Sequence, residues 1–181
     1  DLHGLNTFEH QPLKVAAMEG HWEDQRGAPL ILFAWPDAEA EENRWQVAVP
    51  YLGSLILTHD AFGEVPGLKR VPPQDRPPVA IVFWTFRVMV AIGLWMLFLA
   101  WRGVYLHWRG RLDSSRTFLR LCTWSIPAGF IAILAGWFTT EIGRQPWVVY
   151  GLLRTEDALS PVPGSSVAAS LLAFMVAYTI I

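Results

Sequence analysis

The sequence predicts an all-α polytopic membrane protein: a transmembrane helix bundle with an extramembrane segment at its N-terminal end. Three observations carry that prediction. Pro78 to Trp101 holds a single formal charge, Arg87, and Phe118 to Thr140 holds only Arg120. Roughly 20 mostly apolar residues cross a bilayer, so both runs qualify. Residues 1–78 carry twelve Asp/Glu against six Lys/Arg, whereas Arg102, Arg109, Arg111, Arg116 and Arg120 face one acid, Asp113. A mean hydropathy of +0.29 over 181 residues with ten Trp makes an ordinary soluble domain a poor fit.

A short Arg-rich connection belongs on the cytoplasmic side. The acidic segment and the loop after the second run then face the periplasm or cell exterior. Nucleic-acid binding gains no support, because the basic cluster is read as a topogenic loop. The expected divisions are an outer loop at 1–77, a span at 78–101, a cytoplasmic loop at 102–116, a span at 117–142, an outer loop at 143–164 and the start of a further span at 165–181. The start at Asp1 without Met and the apolar run up to Ile181 lead to the expectation of a piece of a larger membrane protein.

In chain order, Gln11 to Glu19 reads as a helix entry with Pro12 in its first turn, continued by good helix formers as far as Trp22. Leu30 to Phe33 and Trp45 to Val49 have strand character, the second with period-two alternation. Asp37 to Asn43 between them is an acidic turn. Gly63 to Pro78, with Pro72-Pro73 and Pro77-Pro78, is a loop descending to the membrane. The second span contains Pro127, tolerable where neighbours satisfy the freed carbonyl, and Pro146 is expected to end it. Trp84, Trp101, Trp124 and Trp147 fit an interfacial aromatic belt. Cys122 is expected as a small buried hydrophobe. His3, His10, His21, His59 and His107 show no ligand spacing and read as surface residues.

A charge at membrane depth costs about 2.5–3.5 kcal/mol on insertion scales, which singles out Arg87. It either snorkels toward the interface or pairs with a buried anion such as a cofactor carboxylate. Met89 either packs or supplies a soft axial ligand to heme iron. Glu141 and Arg144, three residues apart, share a helical face. They form an interfacial ion pair worth about 0–1 kcal/mol, or the carboxylate ligates a metal or carries protons. Lys14 and Glu19, five apart, lie about 140° apart around a helix and do not face each other. On these residues alone the chain is a membrane fragment with a buried cofactor or an ion path lined by Arg87 and Glu141.

Three motifs, in order, go further. Gly143-Arg144-Gln145-Pro146-Trp147, preceded by Gly136-Trp137 and Glu141, resembles subunit I of the cytochrome bd quinol oxidases. Phe86-Arg87-Val88-Met89 resembles that subunit's heme-ligand span. Lys14-Val15-Ala16-Ala17-Met18-Glu19, followed by Trp22-Glu23, resembles its quinol-binding loop.

The resemblance implies Met89 as an axial ligand of a low-spin heme b, with Arg87 steadying that heme's charge. It implies Glu141 at the high-spin heme iron of one of the two hemes of the oxygen-reducing site (a high-spin heme b and a third heme), Trp137 between hemes, Arg144 on propionates or on Glu141, and Lys14 and Glu19 at the quinol site. The third heme is expected as heme d or a further heme b in its place. The short path from Gly67-Leu68-Lys69 through Val71-Pro72-Pro73 resembles short-loop members, which include cyanide-insensitive oxidases. The implied partners are quinol, oxygen, subunit II of the oxidase, a small single-span subunit as an optional companion, and the lipid bilayer. The implied place is the bacterial inner membrane, as a multi-pass protein. The implied activity is quinol oxidation coupled to oxygen reduction, building a proton gradient without pumping. The fragment alone is expected to be inactive, since the histidine ligands of earlier helices lie outside it.

Overall fold

In the computed structural model, residues 2–159 and 161–180 are described. The side chains of Leu2 and His3 lie outside that description, as do the readings placed on Asp1 and Ile181. Two short helices open the chain, α1 (Leu2–His10) and α2 (Pro12–Glu19). Pro12 starts α2, where its missing N–H is an orphan in any case. The helix stops at Glu19, short of the expected Trp22. Gly20 takes a left-handed conformation with φ 73°, and its N–H returns to the Ala16 carbonyl. A Cβ on Gly20 would stand 2.9 Å from Phe83 Cε2, so this turn tolerates only glycine.

The loop that follows is not helical, which qualifies the all-α expectation. β1 (Gln25–Arg26) pairs with β4 (Glu64–Val65), and β2 (Leu30–Asp37) pairs antiparallel with β3 (Glu42–Val49). Both longer strands extend the expected ones. The acidic turn between them is built locally: Asp37 accepts the N–H groups of Glu39 and Ala40, each at 3.1 Å, and pairs with Arg44 at 2.6 Å. α3 (Leu52–Thr58) then packs under β2, and two 3₁₀ turns at Leu68–Arg70 and Pro73–Asp75 lead down to the long helix.

α4 (Val79–Trp108) runs 30 residues, so the first seven residues of the expected cytoplasmic loop are helical. Reaching the edge of the apolar run does not end a helix whose backbone bonds can continue in water. α5 (Arg116–Trp124) and α6 (Ala128–Ile142) form the second span, broken at Ser125 to Pro127 because proline lacks the donor and crowds the preceding turn. With their flanking turns these are two helices long and apolar enough to cross a membrane, with mean hydropathy 2.0 and 1.6. Cys122 is exposed, contrary to expectation, in an apolar groove that it lines with Leu99 and Gly103 of α4. Of the four tryptophans expected in an interfacial belt, Trp101 and Trp124 are 71% and 83% exposed, whereas Trp84 and Trp147 are half-buried. A small hairpin, β5 (Trp147–Val149) with β6 (Leu153–Arg154), precedes α7 (Gly164–Ile180), an apolar helix of 17 residues.

α4 and α6 pack antiparallel along a seam of small residues. Thr139 donates to Thr85 at 2.9 Å, Met89 lies against Gly136, and Trp95 donates to Ser125 at 2.8 Å. Such interhelical hydrogen bonds average about 0.6 kcal/mol in membranes, so close approach across Gly136 and Gly143 carries more of the association. α2 lies over the end of this pair: Ala16 and Ala17 pack with Trp22, Leu68, Val79 and Val82, and Ile142 closes the cluster.

Candidate active site

α2 reaches across the two long helices, and its ends deliver Lys14 and Glu19 to different places. Glu19 is buried, 7% exposed. Its carboxylate stands 3.7 Å from the Arg87 guanidinium, and Oε2 has no hydrogen-bond partner among the described residues. Burial pushes the Glu19 carboxyl above the usual carboxylate range, while the Arg87 charge pulls the other way.

Arg87 sits one turn along α4 from Phe83, and its guanidinium carbon lies 3.5 Å from that ring's centroid. Nε donates to the Ile31 carbonyl at 3.1 Å, Nη1 donates to the Phe83 carbonyl at 3.3 Å and to that of Met18, and Nη2 donates to Ile31 as well. Among the described residues the carboxylate beside Arg87 is Glu19 of the loop. The guanidinium fastens β2 and the end of α2 to the long helix.

Beside this pair a groove of about 380 Å³ opens along α4, walled by Leu30, Trp84, Val90 and Leu94, with Glu19 and Arg87 at its polar end. Lys14 points elsewhere. Its stem packs on Gly143, where an added Cβ would stand 3.1 Å from Lys14 Cγ. Burial lowers its pKa, Arg144 lowers it further, and Glu141 raises it. The two loop residues therefore occupy opposite flanks of α2, as their spacing requires.

Glu141 and Arg144 form the expected ion pair, with side chains 61% and 39% exposed. The helix ends at Ile142, four residues before Pro146, with the Gly143 N–H on the Thr139 carbonyl at 3.1 Å. Arg144 reaches back to Glu141 from the following turn. Trp137, 70% exposed, shares with Phe130, Ile133 and Glu141 a stripe of α6 turned away from α4.

Among the described residues no group of three or more His, Cys, Asp or Glu gathers; porphyrin iron asks for only one or two axial donors. The α6 stripe fits a porphyrin edge: an apolar surface, a carboxylate as a hard donor, and a guanidinium able to meet propionates. Met89, half-buried, is a soft donor whose sulfur lies 3.0 Å from the position of a Cβ on Gly136. Arg87 and Met89, two residues apart, leave α4 on nearly opposite sides.

Residues 1–181 match the family model described as cytochrome bd terminal oxidase subunit I. The chain belongs to this family. It is 39% identical over 187 residues to the cytochrome bd ubiquinol oxidase subunit 1 of Bacillus subtilis, covering 97% of this chain and 40% of that protein. It is 30% identical over 246 residues to the cytochrome bd-II ubiquinol oxidase subunit 1 of Escherichia coli, covering 99% of this chain and 48% of that one. An alignment of that length requires insertions in the relative. A solved bd oxidase from Geobacillus thermodenitrificans aligns with TM-score 0.78 at 32% identity, over 99% of this chain and 41% of its own. The chain thus spans less than half the length of these bd oxidase relatives.

Sequence reasoning missed His21. Read as a surface residue, it is 1% exposed, and Nε2 donates to the Pro29 carbonyl at 2.9 Å. Its Nδ1 has no partner among the described residues. Burial and the Arg87 charge lower its pKa against the opposing Pro29 bond, so the ring is held neutral. The available signal was position: a histidine directly after the glycine that ends α2, two residues from Glu19.

Proposed function

We propose that this chain is the part of a terminal respiratory oxidase that oxidises quinol at the outer membrane face and carries donors for its hemes. The observation that carries the reading is Glu19, buried beside Arg87 at the polar end of an apolar groove. A quinol has that same duality: a headgroup with two ionisable hydroxyls and an apolar tail. The tail would lie along Val90 and Leu94, and the headgroup would meet Glu19. Oxidation to quinone releases two electrons and two protons. The Glu19 carboxylate takes a hydroxyl proton, and its raised pKa brings its basicity nearer the working pH. Arg87 holds that carboxylate in place while anchoring β2. Lys14, on the other flank of α2 over Gly143 and away from this groove, is assigned to the quinol site by the family resemblance alone.

When bound, the hemes take the electrons and reduce oxygen to water. In this reading Met89 would be a sulfur donor to the low-spin heme b, and Arg87, on the other side of α4, would steady that heme only through its positive charge. Glu141 would serve one of the two hemes of the oxygen-reducing site, Trp137 would lie between hemes, and Arg144 would balance propionates or Glu141. The third cofactor is heme d or a further heme b. Protons released outside while others are consumed from inside build a gradient without pumping. Subunit II, and in some assemblies a small single-span subunit, complete the enzyme in the bacterial inner membrane, with the acidic loop outside and the Arg-rich loop inside. The ion-path alternative is set aside, because the match to the bd oxidase family favours the oxidase reading.

The test uses the full-length oxidase with its partners. Glu19→Gln is expected to lower quinol oxidation roughly 10²–10⁴-fold while the dithionite-reduced heme bands stay unchanged. Met89→Ala is expected to remove the low-spin band. Full quinol turnover in Glu19→Gln, or a colourless wild-type enzyme, would sink the reading.

A further inference from the structure

At the other end of the long helices, three arginines converge on one cavity that the quinol and heme reading does not use. The cavity, about 240 Å³, is lined by Arg102, Tyr105, Arg109, Arg111, Ser114 and Ser115. Tyr105 organises two of the guanidiniums: their central carbons lie 5.6 Å (Arg102) and 5.5 Å (Arg109) from its ring centroid, and Arg109 Nε donates to its hydroxyl at 3.2 Å. Among the described residues none of the three arginines makes an ion pair, and Asp113, the one acid of the segment, is exposed and unpaired too. Ser114 is committed to the Arg111 carbonyl at 3.1 Å, whereas the Ser115 hydroxyl does not cap α5.

Topogenic arginines need only be present, scattered in water. Three held around one concavity repel one another unless an anion sits among them. Planar guanidiniums match phosphate oxygens in pairs. The depth points to the source. Arg102 directly follows the apolar run that ends at Trp101, and Trp108, next in sequence to Arg109, is 89% exposed, so the site lies at headgroup level. On another side of α4, Leu99, Gly103, Val104, Leu112, Phe118 and Cys122 line an apolar groove of about 510 Å³. A basic pocket at headgroup depth, on a helix that also carries an apolar groove, is what a lipid with an anionic head requires. The volume is below the roughly 300–1,000 Å³ typical of drug-sized ligands and suits a headgroup.

We propose that this cavity binds a phosphate group, supplied by an anionic phospholipid of the bilayer. The wild-type full-length oxidase complex, in nanodiscs of phosphatidylcholine, is titrated with phosphatidylglycerol and, separately, with inorganic phosphate. Native mass spectrometry counts retained lipid, and thermal unfolding reports stabilisation. The expected result is a retained phosphatidylglycerol with a rise in Tm, and at least about tenfold weaker retention in Arg109→Gln/Arg111→Gln. Ser114→Glu/Ser115→Glu leaves every topogenic arginine in place and fills the cavity with carboxylates, so it should lose the lipid even if the glutamine variant fails to insert. A Tm rise with inorganic phosphate alone, abolished in Ser114→Glu/Ser115→Glu, upholds the phosphate site and assigns it to a free anion. Wild-type retention in Ser114→Glu/Ser115→Glu overturns the proposal, as does a wild-type complex that responds to neither probe.

Discussion

The stem of Lys14 rests on Gly143, where a Cβ would stand 3.1 Å from Lys14 Cγ, 3.4 Å from Val82 Cγ1 and 2.4 Å from the Thr139 carbonyl oxygen. Three elements, α2, α4 and α6, meet at one missing methyl group. Gly143→Ala should therefore cost about 1–3 kcal/mol by overpacking and lift Lys14 away from Arg144. Thermal unfolding of the full-length oxidase checks this, and an unchanged Tm would show that the junction is looser than described.

Glu19 makes stability depend on pH in a direction opposite to most carboxylates. Its folded-state pKa is raised, so the folded chain binds more protons than the unfolded chain once pH passes the ordinary carboxylate value near 4.5. The stabilising contribution is complete below that value and is lost as pH rises through the raised one. Glu19→Gln should remove this loss. Comparing Tm of both proteins between pH 4.5 and 8, the wild type should fall relative to the variant; parallel curves would show a carboxyl with ordinary acidity.

What could be read in the sequence was local. Pro12 announces the start of α2, alternation around Trp45 announces a strand, and the scarcity of charge in 78–101 announces a span. What could not be read depends on partners distant in the chain. α2 stops at Glu19 because Phe83 packs against Gly20, and no local pattern records that approach. Arg87 was recognisable as an anomaly, yet its main acceptor is the Ile31 carbonyl, a backbone group that no side-chain pattern reveals. The break at Ser125 was visible only as a tolerated Pro127, and its partner Trp95 comes from the other span.

Glu141 and Arg144 should separate the two kinds of heme site. In the proposed reading Glu141 serves a high-spin heme of the oxygen-reducing site while Met89 serves the low-spin one, on a different helix. Glu141→Gln is expected to deplete the high-spin component of the carbon monoxide difference spectrum and to leave the low-spin band. Arg144→Gln removes only the supporting charge, for which losses of about 10–100-fold in cofactor affinity or activity are usual. Depletion of both bands in Glu141→Gln would mean that the carboxylate holds the helix pair together rather than one cofactor.

His21 supplies the acid limit of the same loop. Its Nε2–H is fixed on the Pro29 carbonyl, and a proton added at the buried Nδ1 would meet no acceptor and would face the Arg87 charge. The folded-state pKa is lowered, so as pH falls below about 6.5 the unfolded chain binds the extra proton first. Stability should then decline by up to about 1.4 kcal/mol per pH unit until the lowered pKa is reached. His21→Gln keeps a donor for Pro29 without a titrating ring. At pH 7.5 the variant should be the less stable, through imperfect filling of a fully buried site, and the gap should narrow as pH drops toward 5. A constant gap across that range would mean that the ring gains its proton as easily in the folded loop as in water, which its burial forbids unless the loop opens.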